Sequence, residues 1–373
     1  MKACKVIIIG GGLAGLTAAL ELSRHGIEVI VIEKTSYPRH KVCGEYVSRE
    51  VVPYLKELGV DIETGVAIDH LLLSTQKGNS FSFQLPLGGV GISRYALDDL
   101  LYQRCLQEGV TIYFDTVTDI LYEKDRFEVS TLNGDTYSSS IALAAYGKRS
   151  NLDKSLKRPF FNQKSPWLAV KAHYKHADFP VNQVALHNFE GGYCGLSKTE
   201  TAAVNMCYLA SYRNFSKYRN IDDFNQNVLG RNPLLNKFLT EAEPLWKSPL
   251  SIAQVSFVKK EAVSDHILFC GDTAGLIHPL CGNGMAIAIH SAKIASEAIV
   301  QFFRSTSYSR KSLEQDYQKH WKQEFGQRMR LGRALQHILL RDNLSRHLIT
   351  GLSRFPSVTR KVIQKTHGKP ISV

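Results

Sequence analysis

Apolar and polar positions in this chain switch between a strand period and a helix period. Lys5-Val6-Ile7-Ile8-Ile9 is an unbroken β-branched run, the pattern of a strand buried on both faces of a parallel sheet. Helical spacing follows through Leu16, Leu20 and Leu22, Gly26 stands where that helix would end, and Glu28-Val-Ile-Val-Ile-Glu33 reads as a second strand. Glu50 to Leu58 predicts a short helix, and Leu71–Ser74 and Phe81–Leu85 predict extended segments. Ser93-Arg94 opens a helix through Leu97, Leu100 and Leu101. Residues 110–140 read as a strand and then a meander, with turns at Asp125-Arg126 and Asn133-Gly134, and Ile141–Ala145 is another buried strand. From Trp167 to about Tyr212 longer strands, with turns at Gly191-Gly192 and Lys198, suggest a separate antiparallel sheet. His266–Cys270 returns to an apolar strand, and an Ala-rich helix runs to about Val300.

The junctions of this pattern carry the chemistry. Between the first strand and helix stands Gly10-x-Gly12-x-x-Gly15. The first glycine allows the tight turn, the second lets backbone approach a pyrophosphate, and the third lets helix pack on strand. The helix N-terminus then offers unpaired N–H groups and partial positive charge to phosphates. Glu33 lies 18 residues beyond Gly15, at the end of the second strand, where a carboxylate accepts from a ribose diol and repels a 2′-phosphate. Ala14 inside the motif and Lys34 beside Glu33 are counted with the cofactor site. The motif by itself serves FAD or NAD equally.

Charge changes the picture only at one end. The chain has 373 residues and a formal charge of +12, but residues 301–373 hold 15 Lys+Arg against 4 Asp+Glu. The body is nearly neutral, which argues against a uniformly basic nucleic-acid binder, and no nucleic-acid motif accompanies the tail. Within it, Leu331, Leu335, Ile338, Leu339, Leu344, Leu348, Leu352 and Phe355 keep helical spacing, interleaved with Arg328, Arg330, Arg333, Arg341 and Arg346. Three roles stay open for this cationic, amphipathic region: a helical cap on the cavity, contact with an anionic membrane surface, or docking of an acidic carrier protein. Composition, 44% hydrophobic and 21% charged, is that of a globular protein. No apolar run approaches the roughly 18–20 residues of a membrane span. The N-terminal lysines and apolar stretch resemble a signal peptide, but the glycine motif at its centre argues against that reading. Seven scattered cysteines with no C-x-x-C spacing suggest neither a disulfide framework nor a zinc site, and point to a reducing, cytoplasmic setting, with peripheral membrane association left open by the tail.

Further blocks choose between the dinucleotides. Pro38-Arg39-His40-Lys41-Val42-Cys43-Gly44 follows the second strand; Gly271-Asp272-Thr-Ala-Gly275 and His278-Pro279-Leu-Cys-Gly282-Asn283-Gly284-Met285 follow the late strand. Together with the first motif these resemble the FAD-dependent oxidoreductases of the para-hydroxybenzoate hydroxylase superfamily over roughly residues 5–300. The Pro-Arg-x-Lys-x-Cys-Gly segment is most similar to the geranylgeranyl reductase branch. The resemblance implies an α/β fold: a Rossmann-type, GR2-like FAD-binding domain with an inserted antiparallel β-sheet substrate domain and a C-terminal helical region. The expected spans are 1–70, 92–155 and 255–300 for FAD, 71–91 and 156–254 for substrate, and 301–373 for the basic helices. It also implies a ribityl or pyrophosphate-side contact for Asp272, Gly284 and Met285 beside the flavin, a cofactor contact for Arg94, and a backbone contact from Val117 to adenine. Independently, a helix beginning near Gly284 would point its positive end at the anionic edge of a reduced flavin.

The superfamily commonly has Asp-Gly after the third flavin-domain strand; here Ala145-Tyr146-Gly147-Lys148-Arg149-Ser150 has tyrosine in the acidic place. With no second GxGxxG, electrons would come from transiently bound NAD(P)H or from a partner reductase. The flavin-halogenase signature Trp-x-Trp-x-Ile-Pro is matched only by Ser165-Pro166-Trp167-Leu-Ala-Val, without its second tryptophan, which makes halogenation a minor option. Cys43 and Tyr193 are the catalytic candidates, each with a plain packing role as the alternative; Tyr193 lies in a Gly-Gly-Tyr segment resembling the family's cavity hairpin. Arg39 and Lys41 are expected to bind phosphate or stabilise reduced-flavin charge, whereas His278 reads as a loop histidine. The favoured reaction is reduction of a carbon–carbon double bond in a lipophilic substrate. The alternatives are hydroxylation of an aromatic or polyketide-like compound by a flavin monooxygenase, and a non-catalytic flavin-binding interaction protein.

Overall fold

In the computed structural model, residues 2–277 and 282–339 are described, and near the C-terminus 357, 360, 361, 363, 364 and 368–372. His278 and Cys281, and the tail positions Arg341 to Phe355, lie outside the described residues.

The first sheet runs in the order Val263–Ser264, Ile267–Phe269, Thr136–Ala144, Lys2–Ile9, Val29–Glu33, Thr111–Phe114. All neighbours are parallel except the first pair. The β-branched run at residues 6–9 forms the centre because both its faces are covered: Val6, Ile7 and Ile8 are fully buried, and the helix Leu13–Arg24 packs on the helices Arg94–Gln107 and Gly284–Arg304. Register decides where chemistry can occur. Ile9 pairs with Ile32 and Ala144, and Ala144 pairs with Phe269, so Gly10, Ala145 and Cys270-Gly271-Asp272 leave the sheet at one carboxyl edge. That edge is where open α/β sheets bind ligands. The strands Val117–Glu123 and Arg126–Thr131 extend the sheet antiparallel from Thr136–Ala144, and their turn uses left-handed Lys124 and Asp125, one residue earlier than expected.

The second sheet runs Glu243–Pro244, Trp167–Lys175, Val204–Ser211, Gly192–Lys198, Gln183–Phe189, Val66–Ser74, Ser80–Gly91, Tyr46–Ser48, with Leu250–Ala253 also pairing on Trp167–Lys175. It is antiparallel apart from one parallel pair, Val66–Ser74 on Gln183–Phe189. The sequence boundary at residue 70 therefore falls inside a strand, and residues 46–48 also belong to this sheet. Neither segment shows the clean alternation that would have placed it there: Val66–Ser74 is mostly half-buried and Tyr46–Ser48 is buried at all three positions.

Residues 49–57 form a 3-10 turn, Arg49–Val51, followed by a short helix, Val52–Glu57. The C-terminal helix Arg310–Leu339 packs on Gly284–Arg304. Its inward stripe is Leu313, Tyr317, Phe325 and Met329, one helix face upstream of the leucines that the spacing singled out; Leu331 is half-buried. Tyr317 Oη donates to the Phe269 carbonyl at 2.6 Å, which anchors this helix to the first sheet. Arg328 is not part of a solvated basic face: it is buried and paired with the buried Glu50 at 3.2 Å. Residues 368–372 return to the same place, where Ile371 N–H donates to the Glu50 carbonyl. Among the described residues, no helix is long and apolar enough to cross a membrane.

Candidate functional site

Gly12 is the N-cap of Leu13–Arg24, and no side chain caps that helix, so its first-turn N–H groups face the carboxyl edge uncommitted to side chains. Gly10 adopts φ +101°, and a Cβ at Gly15 would run into the Gly10 carbonyl oxygen. Glu33 is buried; its Oε2 accepts from Gly11 N–H at 2.7 Å, and its Oε1 accepts from Arg39 Nη2 at 2.7 Å and from Thr35 N–H at 3.2 Å, which leaves an acceptor position on Oε2. Arg39 is thereby committed to the nucleotide end rather than to the cavity. Tyr37 donates to the Gly11 carbonyl and stacks on Tyr102. Lys34 is exposed beyond the strand end, and Val117 is buried at the start of its strand, opposite Thr131.

One cavity brings the remaining expected residues together: Gly12, Ala14, Cys43, Gly44, Arg94, Tyr193, Asp272, Gly284 and Met285 all line it. Gly10, Gly15, Glu33, Lys34, Arg39 and Val117 lie outside its lining. The helix Gly284–Arg304 also begins here without a side-chain cap, so two helix N-termini open on the same space. Arg94 and Lys41 converge on Asp98, which is fully buried. Arg94 Nε and Nη2 reach its two oxygens at 2.7 and 2.8 Å, and Lys41 Nζ reaches it at 2.7 Å. Burial alone would raise the Asp98 carboxyl, but the Arg94 and Lys41 charges outweigh it and hold the group below the usual carboxylate range.

Tyr146, which replaces the expected acid, has one of its own. Its hydroxyl donates to Asp153 at 2.8 Å, and Asp153 also receives Ser150 N–H and the buried Arg158. Arg158 in turn donates to the Thr273 carbonyl, and Lys260 bridges the Lys148 and Asp272 carbonyls at 2.8 and 2.9 Å. Burial pushes Lys260 down to about 8. The 146–158 loop is thus bound to the Asp272 turn without an Asp-Gly pair.

The loop carrying Cys43 is fixed by its carbonyls. Lys171 Nζ donates to Lys41 O and Lys148 Nζ to Val42 O, each at 3.2 Å. Asn205 Nδ2 donates to Cys43 O and Gly44 O at 3.2 and 2.9 Å. Glu45 follows with φ +55°, a left-handed conformation that is uncommon for a residue with a Cβ. Fully buried and lining the cavity, it pairs with Lys171, accepts from His173 Nε2 at 2.7 Å, and accepts from Arg94 N–H at 2.7 Å. Glu200, from the second sheet's hairpin, takes the Ser93 N–H and hydroxyl at 2.7 and 2.6 Å, so two carboxylates serve the N-terminus of Arg94–Gln107.

Sequence reasoning missed Glu45, Asp98, Lys171, His173 and Asn205. One signal was present. In Trp167–Lys175, Leu168 and Val170 alternate with Ala169, Lys171 and His173, which places two ionisable residues on an inward strand face. Tyr193 lines the cavity from Gly192–Lys198, with Leu209 opposite it. Six described cysteines are free.

These features fit FAD. Uncapped helix ends suit a diphosphate, Glu33 suits a ribose, and Asp272 at a strand end suits a polyol, with glycines 12, 282 and 284 leaving room beside them. The chain is 24% identical to the digeranylgeranylglycerophospholipid reductase of Methanocaldococcus jannaschii, over 86% of this chain and 82% of that one. It is 25% identical to conditioned medium factor receptor 1 of Dictyostelium discoideum, over 90% of this chain and 71% of that one. The fold superposes on the flavin-dependent brominase Bmp2 with a TM-score of 0.81 and 18% identity, covering 98% and 93% of the two chains. Residues 3–313 match the family described as FAD binding domain, and with the cradle and cavity above, the chain belongs to that family and is an FAD-dependent oxidoreductase.

Proposed function

We propose that this protein reduces a carbon–carbon double bond in a lipophilic substrate. The observation that carries the reading is the apolar part of the cavity wall, to which Leu71, Leu85, Val184, Leu186, Leu209 and Leu276 contribute alongside the Cys43–Gly44 loop. Such a wall accepts a hydrocarbon and offers it few hydrogen bonds. The similarity to an archaeal lipid reductase over most of both chains supports the same reading. Bound FAD supplies the two-electron chemistry; the protein orients substrate, excludes water and holds Cys43 and Tyr193 at the cavity surface. The electron donor in this reading is transiently bound NAD(P)H or a partner reductase. The inward stripe of Arg310–Leu339 and the Arg328–Glu50 pair support a cap role for the first part of the basic region.

Anaerobic turnover tests the reaction. Reduced holoprotein given an isoprenoid lipid should be reoxidised without oxygen and yield a product two hydrogens heavier. A strict oxygen requirement with a hydroxylated product would replace this reading by the monooxygenase one. The cofactor roles are tested separately. Glu33→Ala and Asp272→Ala should each weaken FAD binding by about tenfold or more, the scale of a lost hydrogen bond to a charged group. Flavin-fluorescence titration reads this, and unchanged affinity in both variants would remove the ribose and polyol assignments.

A further inference from the structure

We propose that Glu45, His173 and His40 form a proton relay between solvent and the redox cavity, with Lys171 setting its charge. The proposal rests on the flavin reading above, because two-electron turnover of a flavin moves protons as well as electrons, and a fully buried carboxylate on the cavity wall needs a partner group to exchange them with solvent. Glu45 is the inner end: it lines the cavity, is fully buried, and holds a left-handed backbone conformation that the surrounding contacts must maintain. His173 is the middle, with Nε2 2.7 Å from a Glu45 oxygen. His40 is the outer end, half-buried, its ring 5.1 Å from that of His173, and its Nδ1 has no hydrogen-bond partner. Nitrogen and oxygen atoms of the three residues all lie within 4.8 Å of one another, a span that one water closes.

A proton taken from solvent by His40 passes to His173, then to Glu45, and leaves into the cavity. Each group gains one proton and loses one, so no charge accumulates. The same three residues have the spacing of a metal set, but Lys171 already holds one Glu45 oxygen and His173 Nε2 the other. The other charges facing the relay are ordered. Arg94 and Lys41 are committed to Asp98, and Glu200 sits at the same helix end. Burial would raise the Glu45 carboxyl, but the His173 hydrogen bond and the Lys171 charge outweigh it and keep it ionised as an acceptor.

Trp246 provides a direct readout, because its ring stacks on His173 at 4.5 Å and lies 4.5 Å from His40, and a charged imidazole quenches indole emission. In a W167F/W321F background without FAD, Trp246 emission should fall on acidification. Glu45→Gln should move that transition to lower pH, requiring about tenfold more acid, because the imidazolium loses its counter-charge. His173→Asn should remove the Glu45-dependent transition, and His40→Asn should leave it in place. In the FAD-loaded protein, proton uptake on photoreduction, followed with a pH-indicator dye, should slow at least tenfold in both His40→Asn and Glu45→Gln. A transition unmoved by Glu45→Gln, or wild-type proton uptake in both variants, would overturn the relay. Near-ultraviolet circular dichroism checks that the variants fold. The fluorescence arm needs no flavin, so a protein that bound no FAD would sink the flavin reading while the coupling was still decided.

Discussion

Gly15→Ala is expected to leave the purified protein colourless where wild type is yellow. The added Cβ would run into the Gly10 carbonyl oxygen, and backbone cannot move aside as a flexible side chain can. Relief requires the helix Leu13–Arg24 to lift from its strand, carrying the first-turn N–H groups away from the position a diphosphate needs. A loss of FAD affinity of about 100-fold or more follows, because several hydrogen bonds fail together. Overpacking adds a stability cost of about 1–3 kcal/mol. Gly26→Ala is the matched control. Gly26 also has positive φ, +69°, but nothing lies within 4 Å of the added Cβ, so this variant should lose about 1 kcal/mol and keep its flavin. The ratio of flavin to protein absorbance reads both. Wild-type flavin content in Gly15→Ala would refute the phosphate cradle.

Asp98→Ala should be the most destabilising single change near the cavity, costing about 3–5 kcal/mol in urea unfolding. Asp98 is fully buried between Arg94 and Lys41, and its removal leaves two mostly buried cations without their shared counter-charge. The sign of the pH dependence follows from the carboxyl lying below its usual range in the folded protein. Its stabilisation is complete above the unfolded value, near 3.9, and is lost as pH falls through the lower folded value. Wild type should therefore lose stability over that acid window, whereas the Asp98→Ala profile should lack this component. A destabilisation below about 0.5 kcal/mol would show that the two cations find water or other partners.

The first sheet was legible because its strands are short β-branched runs that end in special residues. A run such as Val6–Ile9, followed at once by Gly10, permits few other structures. Cavity membership was legible where chemistry demanded an unusual residue type, as with Asp272 after an apolar strand and Gly284 before a helix. Glu45 and Lys171 were not legible, since a charged residue looks the same in sequence whether a partner more than a hundred residues away neutralises it or water does. Asp98 was half legible: Arg94 stands four residues before it on one helix face, but Lys41, 57 residues upstream, could not be placed beside it. Arg328 illustrates the reverse case. Counted as part of a basic surface, it belongs to the interior because Glu50, far upstream, is buried beside it. Arg39 shows a third limit: its motif placed it near the cofactor, but its partner Glu33 decided at which end.

The paired carboxylates at the start of Arg94–Gln107 have a thermodynamic consequence. Glu45 comes from the loop clamped by the second sheet, and Glu200 from that sheet's own hairpin, yet both grip the helix that carries Arg94 into the cofactor cavity. A molecule that settles on the sheet and favours one seating of those carboxylates also favours one setting of Arg94. By reciprocity, occupancy of either half then changes affinity in the other by the same factor. In that case a cofactor affinity measured without the second molecule describes only half of one coupled equilibrium.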